Sequence, residues 1–208
     1  MRYVKWALWA VFWLLIAAFF HYTLPQRDIV RITDTFERRV DFGENSIFWA
    51  KADTGNASET VNRDVFFIQS IRENGRPMVY RNEDTGWGWP PYFKFDTNNL
   101  QTEAADLRST SANPQWVAVT HYGWRNEFIS IFPNAVGVRA LDSPDVTLIP
   151  WFNIIILLIF AAICWAIRVR WIRFRERRID PVMENVEDSW DDGRGRVSGW
   201  FASWRKKK

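Results

Sequence analysis

The sequence predicts a membrane-anchored α+β protein: two transmembrane helices flank a small, mostly antiparallel β domain with one helix, in the element order of an OB-like barrel. Three observations predict it. Two long apolar runs, 6-WALWAVFWLLIAAFF-20 and 154-IIILLIFAAICWAI-167, stand towards the two ends of the 208-residue chain. The stretch between them alternates polar and apolar residues and is punctuated by turn formers. Basic residues crowd against the apolar runs, whereas the intervening segment 26–145 has 13 basic and 17 acidic residues, a net charge of −4.

The first span is read over 4–24 and the second over 146–167, 21 and 22 residues. At ~1.5 Å rise per residue, each matches a hydrocarbon core of ~30 Å. The first run ends in Phe19, Phe20, His21 and Tyr22 without a small-x-small cleavage pattern, so it reads as an uncleaved anchor rather than a signal peptide. Trp6, Trp9 and Trp13 suit a helix held at a membrane interface. Arg2 and Lys5 precede it, and Arg168, Arg170, Arg173, Arg175, Arg177 and Arg178 follow the second span. This bias predicts that both termini face the cytoplasm and that 26–145 faces outward. The same arginines are candidate contacts for anionic lipid. The overall charge of +3 thus resides in the tails, which excludes a nucleic-acid reading. With one cysteine, Cys164, no intrachain disulfide can form, and two histidines beside it leave no Cys/His zinc set. No metal or cofactor is expected.

Within the β domain, 28-DIVRITDTFERRV-40 places Val30, Ile32, Phe36 and Val40 on one face of a half-buried strand. Asp34 interrupts that face, which calls for a bulge or for burial against an arginine, Arg125 being one candidate. The polar passage 51–64 is a loop. Strands 65–71 and 78–82 form a hairpin through Asn74-Gly75, where both positions tolerate positive φ. The segment 98–109 brings Leu100, Ala104 and Leu107 onto one helix face. Strands 116–124 and 128–132, the latter extended by 135–140, complete the set. Pro150 opens the second helix and Asp180-Pro181 ends it beyond the arginine ladder. In the tail, Trp200 and Trp204 beside four terminal basic residues suit a return to the anionic inner leaflet, the alternative being a disordered tail. The chain divides into 1–25, 26–145, 146–179 and 180–208.

The blocks 62-NRDVFFI-68, 79-VYRNEDTGWGWPPYFKFDTNNLQTEA-104, 117-VAVTHYGWR-125 and 131-IFPNA-135 resemble the bacterial family known as domain of unknown function 1523, over roughly residues 1–140. The resemblance implies a bacterial inner-membrane protein and supplies no mechanism.

The most distinctive segment is 80-YRNEDTGWGWPPYFKFD-96. Gly86 and Gly88 let the backbone turn, and Pro90-Pro91 stiffens its exit. Trp87, Trp89, Tyr92 and Phe93 are the candidate contact residues for a partner or ligand, unless the loop folds over the barrel end with Trp87 or Trp89 as its plug. Glu83 and Asp84 read as turn formers, and His121, sharing a face with Val117 and Val119, as a structural residue. The expected function is non-enzymatic: an inner-membrane protein presenting its periplasmic domain as accessory subunit, assembly factor or scaffold for another membrane or envelope component. The alternative is a periplasmic sensor binding glycan or peptide through the aromatic loop, and the least favoured is an envelope hydrolase using Asp84 and His121.

Overall fold

The structure is a computed structural model that describes residues 2–41, 48–49, 62–88, 90–91 and 93–182. The chain separates into two compact units, 1–150 and 151–208.

The first unit opens with helix α1, Arg2–Thr23, whose apolar window has no buried residue. Among the described residues five strands follow: β1 (Gln26–Asp41), β2 (Asn62–Arg72), β3 (Pro77–Asn82), β4 (Trp116–Tyr122) and β5 (Asn134–Leu141), with helix α2 (Thr97–Asp106) between β3 and β4. They close into a barrel in the order β1-β2-β3-β5-β4. All pairings are antiparallel except the single β3–β5 bridge, Arg81 opposite Asn134. This order, with the helix after the third strand, is that of an OB-type Greek-key barrel.

β1 can serve both walls because it is bulged. Between Ile32 and Asp34 the register with β2 shifts, so the alternation turns over. Before the bulge, Val30 and Ile32 enter the barrel core with Ile68, Met78, Tyr80, Val117 and Val119, and Leu100 and Ala104 of α2 close it. After the bulge, Phe36 and Val40 point outward into a second cluster with Val65, Phe67, Val79, Phe48, Trp49 and Phe132. The one apolar face read from the sequence is therefore two faces. Asp34 is carried to the surface, where it pairs with Arg108 at 3.1 Å, not with Arg125.

The β2–β3 hairpin forms as expected, with Gly75 at φ +76° and its N–H donating to the Arg72 carbonyl (2.9 Å). The last strand differs from expectation. Residues 128–132 lie in the β4–β5 loop, and the strand is Asn134–Leu141. The side chain of Asn126 accepts from the Phe128 and Ile129 amides and Ser130 takes φ +51°, which curls 126–131 into a turn.

The second unit is helix α3, Trp151–Phe174, which continues through a π-helical turn, Arg175–Ile179, into 180–182. Residues 146–149 of the expected span precede the helix. Asp180-Pro181 does not stop the helix there either. The proline ring would clash with the carbonyl four residues back, at Arg177, and the wide π turn opens the backbone at that place. α3 is also long and apolar enough to cross a membrane.

Candidate functional site

The loop from β3 to α2 is closed at its neck. The Lys94 carbonyl accepts from the amides of Thr85 (3.1 Å) and Gly86 (3.0 Å), and the Lys94 amide donates to the Thr85 hydroxyl (3.2 Å). Gly86 takes φ +53°, a conformation that would strain a side-chain-bearing residue. Asp96 then caps α2 by accepting from the Asn99 amide (3.2 Å), which fixes the far end. The result is a compact loop with a short mouth.

Its side chains are distributed the opposite way from ordinary partition. Trp87 is 81% exposed, and Phe93 and Phe95 are each more than half exposed. Their rings form one group, Trp87 lying 5.4 Å from Phe93 and 5.2 Å from Phe95. Phe93 holds φ +54°, a region costly for a residue with a Cβ, of order 1–3 kcal/mol. Between the two exposed phenylalanines Lys94 is buried, so exposure alternates along 93–95. Pro90 is fully buried, whereas Trp87 does not plug the loop. Trp89 and Tyr92 lie outside the described residues, as do Trp200 and Trp204.

Beneath the aromatic group is a buried polar layer. Burial depresses the Lys94 ammonium to about 7, with Asp84 and Asp96 opposing the shift and Arg81 adding to it. Its Nζ donates to Asn82 Oδ1, and Asn82 in turn donates to the Thr97 carbonyl and Gln101. Arg81 and Glu83, both buried, pair at 3.3 Å, and the Arg81 guanidinium lies 5.0 Å from the centre of the Trp49 ring. Asn134 clamps the backbone of Glu83 through two hydrogen bonds, 3.1 and 2.8 Å. Glu83 is therefore a core carboxylate and not a turn former. Asp84 is exposed and accepts from the Thr97 hydroxyl.

A second charged group lies inside the barrel. Asp28 Oδ2 accepts from Arg72 Nη2 and from the Tyr80 hydroxyl, each at 2.7 Å, and His121 Nε2 stands 3.3 Å away at ion-pair distance. Burial alone would raise the Asp28 carboxyl; the bonds from His121, Tyr80 and Arg72 outweigh it and hold the group well below the usual carboxylate range. Burial, then the neighbouring carboxylate, pushes Tyr80 far up. His121 is buried on the face shared with Val117 and Val119, as the alternation requires. Among the described residues, it and Asp84 share no partner.

Sequence reasoning missed three residues here. Phe95 belongs to the exposed group, and the Phe-Lys-Phe spacing of residues 93–95 carried the signal, since alternate residues of an extended segment share a side. Lys94 and Arg81 were missed because a buried cation is rare enough that sequence gives no prior for it.

The six arginines from Arg168 to Arg178 are exposed along α3 and its π turn, Arg175 pairing with Asp180 at 3.6 Å.

Fold and site together define a class: a five-stranded barrel attached to apolar helices, with an aromatic loop turned to solvent. The chain belongs to the family described as Protein of unknown function (DUF1523), whose model matches residues 1–175 and so takes in α3 as well as the barrel. A protein of Haemophilus influenzae described as uncharacterized is 32% identical over 163 residues, covering 76% of this chain and 88% of that one. No solved structure matches.

Proposed function

We propose that this is a bacterial inner-membrane protein whose barrel, held on the periplasmic side, docks a second envelope or membrane protein through the loop carrying Trp87, Phe93 and Phe95. The observation that carries the reading is the inverted loop: three contacting aromatic rings in water above a buried lysine. A rigid aromatic group of this kind is the composition of an interface hot spot. Asp84 and Asp96, both exposed, flank it, so the complementary surface is an apolar recess with a basic rim. The role is that of an accessory subunit, assembly factor or scaffold, and it is non-enzymatic.

The reading as a glycan or peptide sensor has less support. OB-type barrels bind oligomeric ligands on the face of strands 2 and 3. Here that face is occupied by the protein itself: Phe48, Trp49 and Phe132 cover Val65, Phe67 and Val79. Two uncovered apolar helices and the exposed arginine ladder on α3 support the membrane location.

A photo-crosslinking residue in place of Phe95, in living cells, tests the docking. The expected result is one dominant adduct whose partner is identified by mass spectrometry and whose yield falls when Asp84 and Asp96 are both changed to lysine. No adduct in a correctly inserted protein, or an adduct indifferent to the charge reversal, contradicts it. An adduct with a second copy of this chain replaces the partner with self-association.

A further inference from the structure

We infer that the β4–β5 loop is a membrane finger: Phe128, at its tip, enters the headgroup–acyl boundary of the bilayer that α1 crosses. This rests on the reading of α1 as a membrane anchor, and adds a lipid contact made by the barrel itself.

The loop emerges at the α1 end of the barrel. β4 runs antiparallel to β1 with His121 opposite Gln26, so the last residues of β4 lie where β1 begins, directly after α1. Its base is bonded to the final turn of α1. The Gly123 amide donates to the Tyr22 carbonyl (3.0 Å), and Trp124 Nε1 donates to His21 Nδ1 (2.8 Å). The Trp124 and Tyr22 rings meet edge to face at 5.2 Å. Trp and Tyr at the end of an apolar helix are the chemistry of the interfacial belt.

The tip is built rather than slack. Asn126 and Ile131 exchange two backbone hydrogen bonds, 3.1 and 2.9 Å. Asn126 Oδ1 accepts from the amides of Phe128 (3.0 Å) and Ile129 (3.3 Å), and Arg125 Nη1 donates to the carbonyls of Asn126 (2.9 Å) and Ile131 (3.1 Å). Ser130 is held at positive φ to complete the turn. All of this presents Phe128 with its side chain 100% exposed. Leaving a phenylalanine in water forgoes about 1.5–3 kcal/mol that burial would supply. Phe128 lies four residues beyond Trp124, a reach of at most ~14 Å. That is enough for a loop rooted at the end of a span to dip the ~5–10 Å that interfacial side chains occupy. The occupant is lipid because the apolar surface next to the root is the uncovered side of α1, where Phe19 is half exposed.

The test uses the full chain with Cys164→Ser and a polarity-sensitive fluorophore on single cysteines, reconstituted in phosphatidylcholine–phosphatidylglycerol liposomes. Nitroxide-labelled lipid is the quencher. Leu15→Cys reports the α1 anchor, Phe128→Cys and Glu127→Cys report the finger (the second keeps Phe128 in place), and Asn98→Cys on α2 is the solvent control. The inference predicts a blue shift and loss of fluorescence at 15 and at the finger, with 98 unchanged. Quenching at 15 with finger probes behaving as at 98 overturns the finger and leaves the anchor standing. Blue-shifted finger probes that lipid nitroxides do not quench are covered by protein, which also overturns it. No quenching at 15 removes the anchor reading, and the finger with it.

Discussion

On the outer face of β1, β2 and β3 the aromatic side chains close on one another: Phe36 stacks on Phe67 at 5.3 Å, Phe132 meets Phe67 edge-on at the same distance, and Trp49 is buried over Arg81. Across the buried polar layer, on the β3–α2 loop, Trp87, Phe93 and Phe95 make a similar cluster that stays in water. Residue type is the same in both places. What differs is what the backbone does with it. On the sheet, the bulge in β1 and the return of the β4–β5 loop bring apolar surfaces face to face. On the loop, the neck at Thr85 and Lys94 leaves Phe93 and Phe95 outward and draws the lysine in. The first cluster is therefore held by folding, and the second is available to something else.

Substitutions that strike each side of this contrast should separate cleanly, with thermal unfolding of the full chain in mild detergent as the measurement. Trp49→Ala empties the buried cluster on the outer face of the sheet and strips the Arg81 face, and should cost about 3–5 kcal/mol. Asp28→Asn removes the charge that Arg72, Tyr80 and His121 converge on, and should cost about 2 kcal/mol. Because the folded Asp28 carboxyl lies below its unfolded value, its stabilisation is complete above pH ~4 and is lost as pH falls below that. The difference between wild type and Asp28→Asn should therefore shrink in acid, and a constant difference would contradict the assignment.

Lys94→Met should act in the opposite direction. The folded lysine titrates near 7 against an ordinary 10.5, so the folded state holds fewer protons than the unfolded one between those values. Wild-type stability thus rises with pH across that window, and the penalty of the buried ammonium is fully present below it. The variant should be more stable by on the order of 2 kcal/mol at pH 6, with the gain fading by pH 10, offset in part by the lost bond to Asn82. The smallest effect belongs to the exposed cluster: Trp87→Ala should shift stability by no more than about 0.5 kcal/mol.

Much of the barrel was legible in the sequence. The Asn74-Gly75 turn, the inward Val117, Val119 and His121, and Leu100 with Ala104 on α2 all follow from period and turn chemistry, because each is local. What escaped is not local. Asp34 signalled the bulge in β1, but alternation could not reveal that Ile32 and Phe36, on its two sides, serve different cores. The β-rich run 128–132 looked like a strand, but the side chain of Asn126 and the positive φ of Ser130 make it a turn. Glu83 sat beside Asp84 in a turn-like string, and only the closure of β3 against β5 brings it to Asn134 and buries it. Trp87 was placed in the candidate contact by composition. Its outward direction depends on the Lys94 neck, which no spacing encodes.

The docking claim is tested most directly by Trp87→Ala combined with Phe95→Ala. The wild-type complex, its partner identified by the crosslink, is purified in mild detergent, and the affinity and melting temperature of the double variant are compared with it. The account predicts an unchanged melt and an affinity weakened at least ~30-fold, the loss expected of an interface hot spot worth ~2 kcal/mol. A variant that melts as wild type and binds the partner as tightly would contradict it.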